Sequence, residues 1–514
     1  MTPDNDETTK VSAPLFDSVN VWFEKIYEPT MFYMLRFDGR LDEKLLKKAV
    51  LLTINADPYL SSRYSETEDD AFWEKVPKSS FKPYFTVQSY RNGLSDIFEN
   101  PPKPLDVRSA PQLRLDLYRY DDADAGNGEN AVNVVNTGNT ASPQNGAESR
   151  GDILVFVGHH GFADAHGIIS MGSAVMDTYI RLAKDPDYVP KYRGRYPRDT
   201  KSLIERFSKE EREEAMKTAV LDFKPNWSFV RGDVNRDKAF DYTKEYPRGG
   251  GRFSVRTISP ENFAKIKAFG KRNGATINDL IICSYLISLL KSCKCTSEKE
   301  SPKSVLTAGD LRRYYGRDTD NPMNLAIAFD VTAVCDENTP VKAILPEITA
   351  RMNGIKNGVM GLGFLSAVEQ IRESGLKAVR DLYNTSFDEG LSKSTSNPVF
   401  SNIGILDTRV YDTVPAGGVS VGSSGGNPCE CGGTGESREP RGELRLVDAL
   451  FMPVISHAPG ISVIASTYKD SQNNVRLTLI SGYEAANTDR GRVDALLKDI
   501  EERLIREAEV EQIE

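Results

Sequence analysis

Several residue types are scarce in this chain of 514 residues, and each scarcity excludes a class of protein. Six cysteines in a chain of this length are too few for a disulfide framework, so we expect reduced thiols and a cytoplasmic location. The longest nearly apolar stretch, Leu280 to Leu290, is shorter than the roughly 20 residues that cross a bilayer. We therefore expect no integral membrane segment, and the polar, acidic start of the chain predicts no secretory signal.

Positive charge is also in deficit, because 65 Lys and Arg face 74 Asp and Glu and leave a formal net charge of −9. A chain with this balance lacks the basic footprint that a phosphate backbone requires, so we expect no nucleic-acid partner. The composition, 39% apolar and 27% charged, is typical of a globular protein. At roughly 100–200 residues per domain, the length allows two to four domains.

Two segments rich in Gly, Asn and Ser interrupt the pattern of strands and helices. The first, at about 121–152, has no aromatic residue and cannot bury enough apolar area to offset its ordering entropy. It predicts a mobile loop between two strands of one sheet. The second, at about 415–443, predicts a flexible excursion. A charged region at 191–250 predicts the crossover between an N-terminal domain, 1–190, and a C-terminal domain, 251–514.

Both predicted domains begin with a strand that leads into a capped helix. Asp42 can cap the first such helix, and in the second half Ser259 precedes Pro260, which is favoured at the first helical position. Thr276 and Asp279 resemble a capping box that opens a further, apolar helix. The repetition of strand and helix in each half predicts the α/β class and two similar domains.

The histidines are concentrated in one place, since three of the four lie within the segment HHGFADAHG from His159 to Gly167. The segment follows an apolar strand, Ile153–Val157, that we expect to be buried on both faces. It precedes a helix predicted from about Gly167 to Ala183. A strand end that opens into a helix is a place where polar side chains converge on a cleft. Their burial costs free energy unless they are hydrogen-bonded.

The motif HHxxxDxxG, formed by His159, His160, Asp164 and Gly167, resembles the signature of the chloramphenicol acetyltransferase-like superfamily. That superfamily includes acyl-CoA-dependent alcohol acyltransferases, mycobacterial polyketide-associated acyltransferases and the condensation domains of nonribosomal peptide synthetases. Other family-like segments occur in the expected order over about 16–506. PLDVRSAPQLRLDLYRY precedes the histidines, and RTISPENFAKIKAFGKRNGATINDLI, TAGDLRRYY and FSNIGIL follow them. The resemblance implies a two-layer α/β (α+β) fold. Two acyltransferase-like domains would form a V-shaped pair with a channel between them.

The resemblance also implies which residue is catalytic. His160, the second histidine, would be the general base that takes a proton from an acceptor hydroxyl or amine as that group attacks a thioester carbonyl. Imidazole suits this task because its pKa, about 6.5 when unperturbed, is close to working pH. No covalent acyl-enzyme would form, because the acceptor attacks the thioester directly.

Supporting roles are implied for six further residues. Asp164 would pair with Arg312, with Arg313 as the adjacent alternative, and hold the histidine segment in shape. His159 and Gly167 would shape the turn. Ser401 and Asn402 would be polar groups of the channel that lie near the reacting carbonyl.

The implied reaction is acyl transfer from acyl-CoA, as co-substrate and with no bound cofactor, to a small-molecule alcohol or amine. One alternative is a carrier-protein-dependent condensation enzyme that forms amides or esters, with an acyl carrier protein as partner. Another is a noncatalytic small-molecule-binding member of the fold. The chain departs from the common pattern at Ala165, where glycine is usual. It also lacks the DFGWG motif of the plant-type enzymes, which argues against the plant branch.

A metal site is a competing interpretation of the histidine cluster. His159, His160, Asp164 and His166 are residue types that bind zinc. Adjacent histidines on a strand point to opposite faces, however, so both rarely reach one ion. We therefore expect no metal in the site.

Two other motifs suggest different chemistry and stay open. The segment 418–422 matches GxSxG, and Asp448 and His457 follow in hydrolase order, but no helix follows Ser420 as a nucleophile elbow requires. Two CxC pairs offer four thiolates for a structural zinc, although CxxC is the more usual spacing. They are Cys293 with Cys295 and Cys429 with Cys431.

Overall fold

The computed structural model describes residues 10–121, 150–191, 198–217, 227–228, 250–293, 301–315, 322–408, 411, 414–417, 442–457, 460–470 and 472–510. Most of the two predicted insertions, 122–149 and 418–441, lies outside the described residues. Within the described ranges the chain forms twenty strands and twelve α-helices.

Strands and helices are interspersed along the chain, with one long run of strands from β13 to β20 before the last helix. The strands are β1 (Lys10–Ser12), β2 (Tyr27–Glu28), β3 (Thr30–Phe37), β4 (Ser62–Glu66), β5 (Ala71–Lys75), β6 (Phe85–Tyr90), β7 (Arg114–Tyr120), β8 (Ile153–His159), β9 (Trp227–Ser228), β10 (Gly251–Ile258), β11 (Lys303–Asp310), β12 (Ala326–Ala333), β13 (Thr395–Ser396), β14 (Val399–Ile405), β15 (Val414–Pro415), β16 (Glu443–Leu444), β17 (Leu446–Met452), β18 (Ile455–Ser456), β19 (Ser462–Lys469) and β20 (Val475–Glu484). The helices are α1 (Leu15–Trp22), α2 (Glu43–Ala56), α3 (Leu94–Glu99), α4 (Ala165–Lys184), α5 (Lys201–Ile204), α6 (Lys209–Lys217), α7 (Pro260–Arg272), α8 (Ile277–Ser292), α9 (Val341–Asn357), α10 (Leu362–Arg372), α11 (Leu376–Lys393) and α12 (Arg490–Val510).

The first large sheet has five strands in the order β17-β3-β8-β7-β6. Its strands are antiparallel except for β6 and β7, which run parallel. Every residue of β8 is buried, as its apolar sequence predicts. Because β8 pairs with β7, the strands on either side of the first predicted insertion are neighbours in one sheet, as expected. Helices α2 and α4 contact each other, and α4 packs on β3 and β8.

The second large sheet has six strands in the order β10-β20-β19-β14-β11-β12. Its centre is parallel, since β14 runs in the same direction as β11 and β19. Helices α7, α8, α9 and α12 pack on this sheet and enclose the second apolar core. Within the described residues no single helix has the length and apolar composition of a membrane span. Only α7 and α8 taken together meet those criteria, and an angle of 101° separates them.

One strand connects the two halves of the chain. Strand β17 belongs by position to the predicted C-terminal domain, yet it pairs with β3 in the first sheet, with Met452 opposite Phe32. Its buried apolar residues complete the edge of that sheet beside β3. The division into an N-terminal domain (1–190), a crossover (191–250) and a C-terminal domain (251–514) stays a proposal. Strand β17 lies within the third range but forms part of the first sheet.

The predicted helix starts are present with the expected caps. The Asp42 carboxylate accepts from the backbone N–H of Leu45 at 3.0 Å, and the Ser259 hydroxyl accepts from Asn262 at 3.2 Å. The capping box is complete, because the Asp279 side chain accepts from the Thr276 N–H at 2.8 Å. Such pairs satisfy N–H groups that have no partner within the helix.

In the charged crossover, the segment SLIERFSKEEREEAMKTAV (202–220) predicts one short polar helix, but its described part, up to Lys217, is broken into α5 and α6. The Ser208 hydroxyl accepts from the Glu211 N–H at 3.1 Å, and the Glu211 carboxylate accepts from the Ser208 N–H at 2.7 Å. This capping box starts a new helix, and the sequence analysis did not recognise it.

Candidate active site

The histidine segment leaves β8 at His159 and enters α4 at Ala165. The His160 N–H donates to the carbonyl of Pro29 at 2.8 Å, and the N–H groups of Phe162 and Ala163 donate back to the His159 carbonyl at 2.9 and 3.1 Å. These bonds form a tight turn between the strand and the helix. The turn directs the two adjacent histidines to different surroundings.

His159 is buried and braces the turn. Its Nδ1 accepts from the Gly161 N–H at 2.8 Å, so its proton is on Nε2, which lies 3.2 Å from Glu24 Oε1. Burial alone would raise the pKa of Glu24, but hydrogen bonds from His159 and Arg108 outweigh it, and the pKa is lowered. Both ring nitrogens of His159 are therefore occupied by structural contacts.

His160 faces the other half of the chain. Its Nδ1 lies 3.2 Å from Oδ1 of Asn324, just before β12. The Asn324 amide nitrogen donates to Asp17 Oδ1 at 3.1 Å and to the Gly161 carbonyl at 3.3 Å, which assigns its oxygen to the side facing His160. Nδ1 of His160 is then the protonated nitrogen, and Nε2 keeps its lone pair. Among the described residues none is hydrogen-bonded to Nε2.

The surroundings of His160 favour the neutral imidazole. Burial lowers its pKa below the ordinary value, because desolvation disfavours the charged ring. A bond with its own backbone, the Asp164 charge and Asn324 act in the opposite direction without reversing the shift. The Tyr27 ring lies against it, with 6.1 Å between the ring centroids and 33° between the planes. A neutral histidine with an available Nε2 has the form that a general base requires.

Asp164 links the histidine turn to the start of α4. Its Oδ1 accepts from the Gly167 N–H at 2.9 Å and caps α4. Its Oδ2 accepts from the Arg312 guanidinium at 2.7 Å and from the Leu325 N–H at 2.8 Å. Burial alone would raise the pKa of Asp164, but Arg312 and these donors outweigh it, and the pKa is lowered. The lowered pKa and the three donors favour an ionised carboxylate that anchors the turn.

Arg312, and not Arg313, makes this contact. Arg312 is buried in a short 3-10 turn after β11, where it also donates to the Met323 carbonyl at 2.8 Å. Arg313 is exposed and donates to the Lys356 carbonyl at 2.9 Å. Arg312 thus ties the histidine segment of the first half to the 323–325 segment of the second half.

Gly167 lies where these two segments approach each other closely. A Cβ at this position would lie 2.8 Å from Ala163 Cβ and 3.2 Å from the Met323 backbone nitrogen. Neither neighbour is the flexible end of a long side chain, so only glycine lets α4 start this close to Met323. The glycine of the motif is thus explained by close backbone approach.

Ser401 and Asn402 lie on the central strand β14 and are partly buried. The Asn402 side chain accepts from the Gly404 N–H at 3.0 Å across a bulge, where Gly404 has a φ of 84°. No hydrogen bond between described residues connects either residue with His160. Their role beside a reacting carbonyl stays a prediction.

The competing interpretations find no matching geometry among the described residues. No group of three or more His, Cys, Asp or Glu in the described ranges is arranged to hold a metal ion, and His166 is exposed. His457 contacts Glu484 at 3.1 Å, whereas Asp448 binds Arg36 and Tyr468, so the hydrolase order does not produce a His–Asp pair. Four residues of the other two motifs lie outside the described residues: Ser420, Cys295, Cys429 and Cys431.

The sequence analysis missed three residues that the structure brings to His160. Asn324 and Tyr27 contact it, and Asp17 holds Asn324. Asp17 offered one signal, a single carboxylate in the otherwise apolar start of α1 (LFDSVNVW). Asn324 and Tyr27 offered none, because their importance comes from contacts with distant parts of the chain.

Comparison with known proteins identifies the fold. No protein-family model and no curated protein matches the chain. Among solved structures it resembles a trichothecene 15-O-acetyltransferase from Fusarium sporotrichioides, with a TM-score of 0.62, 12% identity and coverage of 98% of this chain and 96% of that chain. It also resembles the first condensation domain of the CDA synthetase, with a TM-score of 0.57, 12% identity and coverage of 98% and 97%.

Polyketide synthase associated protein 5 from Mycobacterium tuberculosis is a third similar structure, with a TM-score of 0.54, 14% identity and coverage of 96% of this chain and 98% of that chain. All three matches span nearly the whole of both chains. The chain has the two-domain chloramphenicol acetyltransferase-like fold that its HHxxxD motif implied.

Proposed function

We propose that this chain is an acyltransferase that moves an acyl group from acyl-CoA to a small-molecule alcohol or amine, with His160 as general base. One observation carries the proposal. Asn324 engages Nδ1 of His160, so the lone pair of Nε2 is available to take a proton. The resemblance to an O-acetyltransferase and to a condensation domain supports acyl transfer as the reaction class. The cytoplasmic location stays a prediction.

The proposed mechanism has one addition and one elimination. Nε2 of His160 removes the proton from the acceptor as its oxygen or nitrogen attacks the thioester carbonyl carbon, and a tetrahedral oxyanion forms. The carbon–sulfur bond then breaks, the carbonyl re-forms, and CoA leaves as a thiolate. The imidazolium returns its proton to the thiolate, whose thiol has a pKa of about 8.5, so the enzyme regains its starting state. Holding donor and acceptor together would supply much of the rate enhancement.

The arrangement around His160 supports this chemistry through rigidity. The His160 N–H is bound to Pro29, its ring to Asn324, and the neighbouring Asp164 to Arg312. A base held this firmly loses little entropy on reaching the geometry of proton transfer. Burial keeps it neutral at the pH where it must accept a proton.

Release of free thiol from a panel of acyl-CoAs, with pooled alcohols and amines, tests the proposal on the wild type and on His160→Ala. We expect acceptor-dependent thiol release that disappears in folded His160→Ala. Equal release from both proteins would remove His160 from the chemistry. The donor with the highest rate would then guide the search for the acceptor.

A carrier-protein-dependent condensation enzyme is the second candidate, because condensation domains share the fold over almost the whole chain. The same acyl groups presented on phosphopantetheinylated carrier protein separate the two candidates. Faster acyl transfer from carrier than from CoA would favour condensation. Tight binding of acceptors without turnover from either donor would favour the noncatalytic alternative.

A further inference from the structure

A second buried ion pair lies behind His160, beside the one formed by Asp164 and Arg312. Asp17, on α1, is 1% exposed, and its Oδ2 accepts from Arg198 Nε at 3.0 Å and from the Trp73 indole N–H at 2.9 Å. Its Oδ1 accepts from the Asn324 amide at 3.1 Å. All three partners are donors, which fits an ionised carboxylate. Burial raises the pKa of Asp17, and Arg198 with the other donors lowers it in part.

Arg198 connects this carboxylate with the two segments that carry the site. Its guanidinium donates to the carbonyls of Phe162, in the histidine turn, and Pro322, two residues before Asn324. It also lies over the Phe162 ring, 4.2 Å from the centroid. The side chain is 3% exposed. Arg198 therefore holds the turn and the Asn324 segment at a fixed separation.

The orientation of the Asn324 amide depends on Asp17. As it stands, the amide nitrogen faces two acceptors, Asp17 Oδ1 and the Gly161 carbonyl, and the amide oxygen faces Nδ1 of His160. If the amide were flipped, its oxygen would face the Asp17 carboxylate and the Gly161 carbonyl. These groups are acceptors, so no hydrogen bond would form with either. A buried polar group left unpaired in this way is costly, so the flipped orientation is disfavoured.

The flip would also change the imidazole. The amide nitrogen would face Nδ1 and would favour a ring proton on Nε2, in competition with the bond between the ring and the His160 backbone. An imidazole protonated at Nε2 has no lone pair on the nitrogen that faces the reactants. The amide orientation thus acts, together with the bond between the ring and the His160 backbone, on whether His160 is in the form of a base.

We propose that Asp17 is a positioning residue that selects the Nδ1–H tautomer of His160 by orienting the amide of Asn324. The inference rests on the proposed function for its catalytic meaning, but the tautomer itself is a property of the protein without ligands. Asp17 does not contact the reactants in this proposal and acts only through Asn324.

The tautomer is measurable directly with histidine labelled with ¹⁵N in the ring. The chain has four histidines, so a long-range ¹H–¹⁵N spectrum holds four ring systems, and His160→Ala assigns the relevant one. In the wild type we expect the proton of neutral His160 on Nδ1. A proton on Nε2 in the wild type would overturn the inference without any variant of Asp17.

The variant Asp17→Asn removes the charge and leaves an amide of the same shape. We expect a mixture of His160 tautomers and, for the donor and acceptor found by thiol release, about tenfold lower kcat with KM for acyl-CoA within about twofold. The matched control is Asp116→Asn, because Asp116 is equally buried and binds Arg114 at 2.9 Å, both on β7, with no hydrogen bond to Asn324 or His160 among the described residues. It should lose stability and keep the wild-type tautomer.

A double variant shows whether Asp17 acts through Asn324. Asn324→Ala with Asp17→Asn should leave the tautomer ratio and kcat of Asn324→Ala unchanged, because the intermediary is already absent. Additive losses would overturn the route through Asn324. An unaltered tautomer in folded Asp17→Asn would overturn the inference even with an active enzyme. A chain without transferase activity but with the expected tautomer shift would instead contradict only the proposed function.

Discussion

Nδ1 of His160 lies 3.2 Å from Oδ1 of Asn324, and 164 positions of the chain separate the two residues. His160 belongs to the turn after β8, and Asn324 to the segment before β12 of the second sheet. The candidate base therefore has a ring partner in the opposite half of the molecule. Any displacement of the halves would alter this contact between His160 and Asn324.

Replacement of His160 by alanine should reduce acceptor-dependent thiol release by about 10²–10⁴-fold, the range for loss of a general base. The matched control is His166→Ala, which removes an exposed imidazole six residues further along the same segment. It should keep activity within about twofold. Steady-state kinetics of both variants, with circular dichroism to establish folding, measure the difference. Equal loss in the two variants would contradict the assignment of His160.

The pH dependence of kcat/KM should reflect the lowered pKa of His160. A base is active when neutral, so activity should stay high as pH falls to about 6.5, the unperturbed value, and decline only below it. The same shift makes the folded state bind protons less readily than the unfolded one. The free energy of unfolding therefore decreases as pH falls below the unfolded pKa of His160, because the unfolded state then binds the proton more readily. A decline in kcat/KM centred above pH 7 would contradict the prediction.

Removal of the Asp164 charge should destabilise the protein because Arg312 remains buried without its main partner. For Asp164→Asn we expect a loss of about 3 kcal/mol in the free energy of unfolding, together with loss of activity. Exposed Arg313 provides the control, and Arg313→Gln should change stability by less than about 0.5 kcal/mol. Denaturant titration gives both values. A loss in Arg313→Gln as large as that in Asp164→Asn would reverse the assignment of the two arginines.

An added methyl group at Gly167 should push apart the start of α4 and the backbone at Met323. The new Cβ would lie 2.8 Å from Ala163 Cβ, so Gly167→Ala should cost about 1–3 kcal/mol and lower kcat. In contrast, a Cβ at Gly354, inside α9, meets nothing within 4 Å. Gly354→Ala should stabilise the protein by about 0.5–1 kcal/mol through helix propensity. Thermal unfolding compares the pair, and a neutral Gly167→Ala would refute the close-approach explanation.

Much of the local structure follows from the sequence. The cap residues Asp42, Ser259 and Thr276 begin helices where predicted, and the apolar strand before the histidines is buried throughout. These features arise from interactions within about four residues, which a linear pattern records. Helix boundaries inside the charged crossover do not follow from the sequence pattern, because the cap at Ser208 divides the predicted polar helix into α5 and α6.

The sequence by itself determined the motif, the residue types of the site and, through resemblance, the fold. Tertiary structure decided which distant partners meet them. Arg312 was distinguished from Arg313 by burial, β17 joined a sheet from the other half, and Asn324 and Asp17 reached His160 from segments with no shared pattern. Local periodicity records which face of an element is buried. It does not record which element covers that face, and the protonation state of His160 depends on that contact.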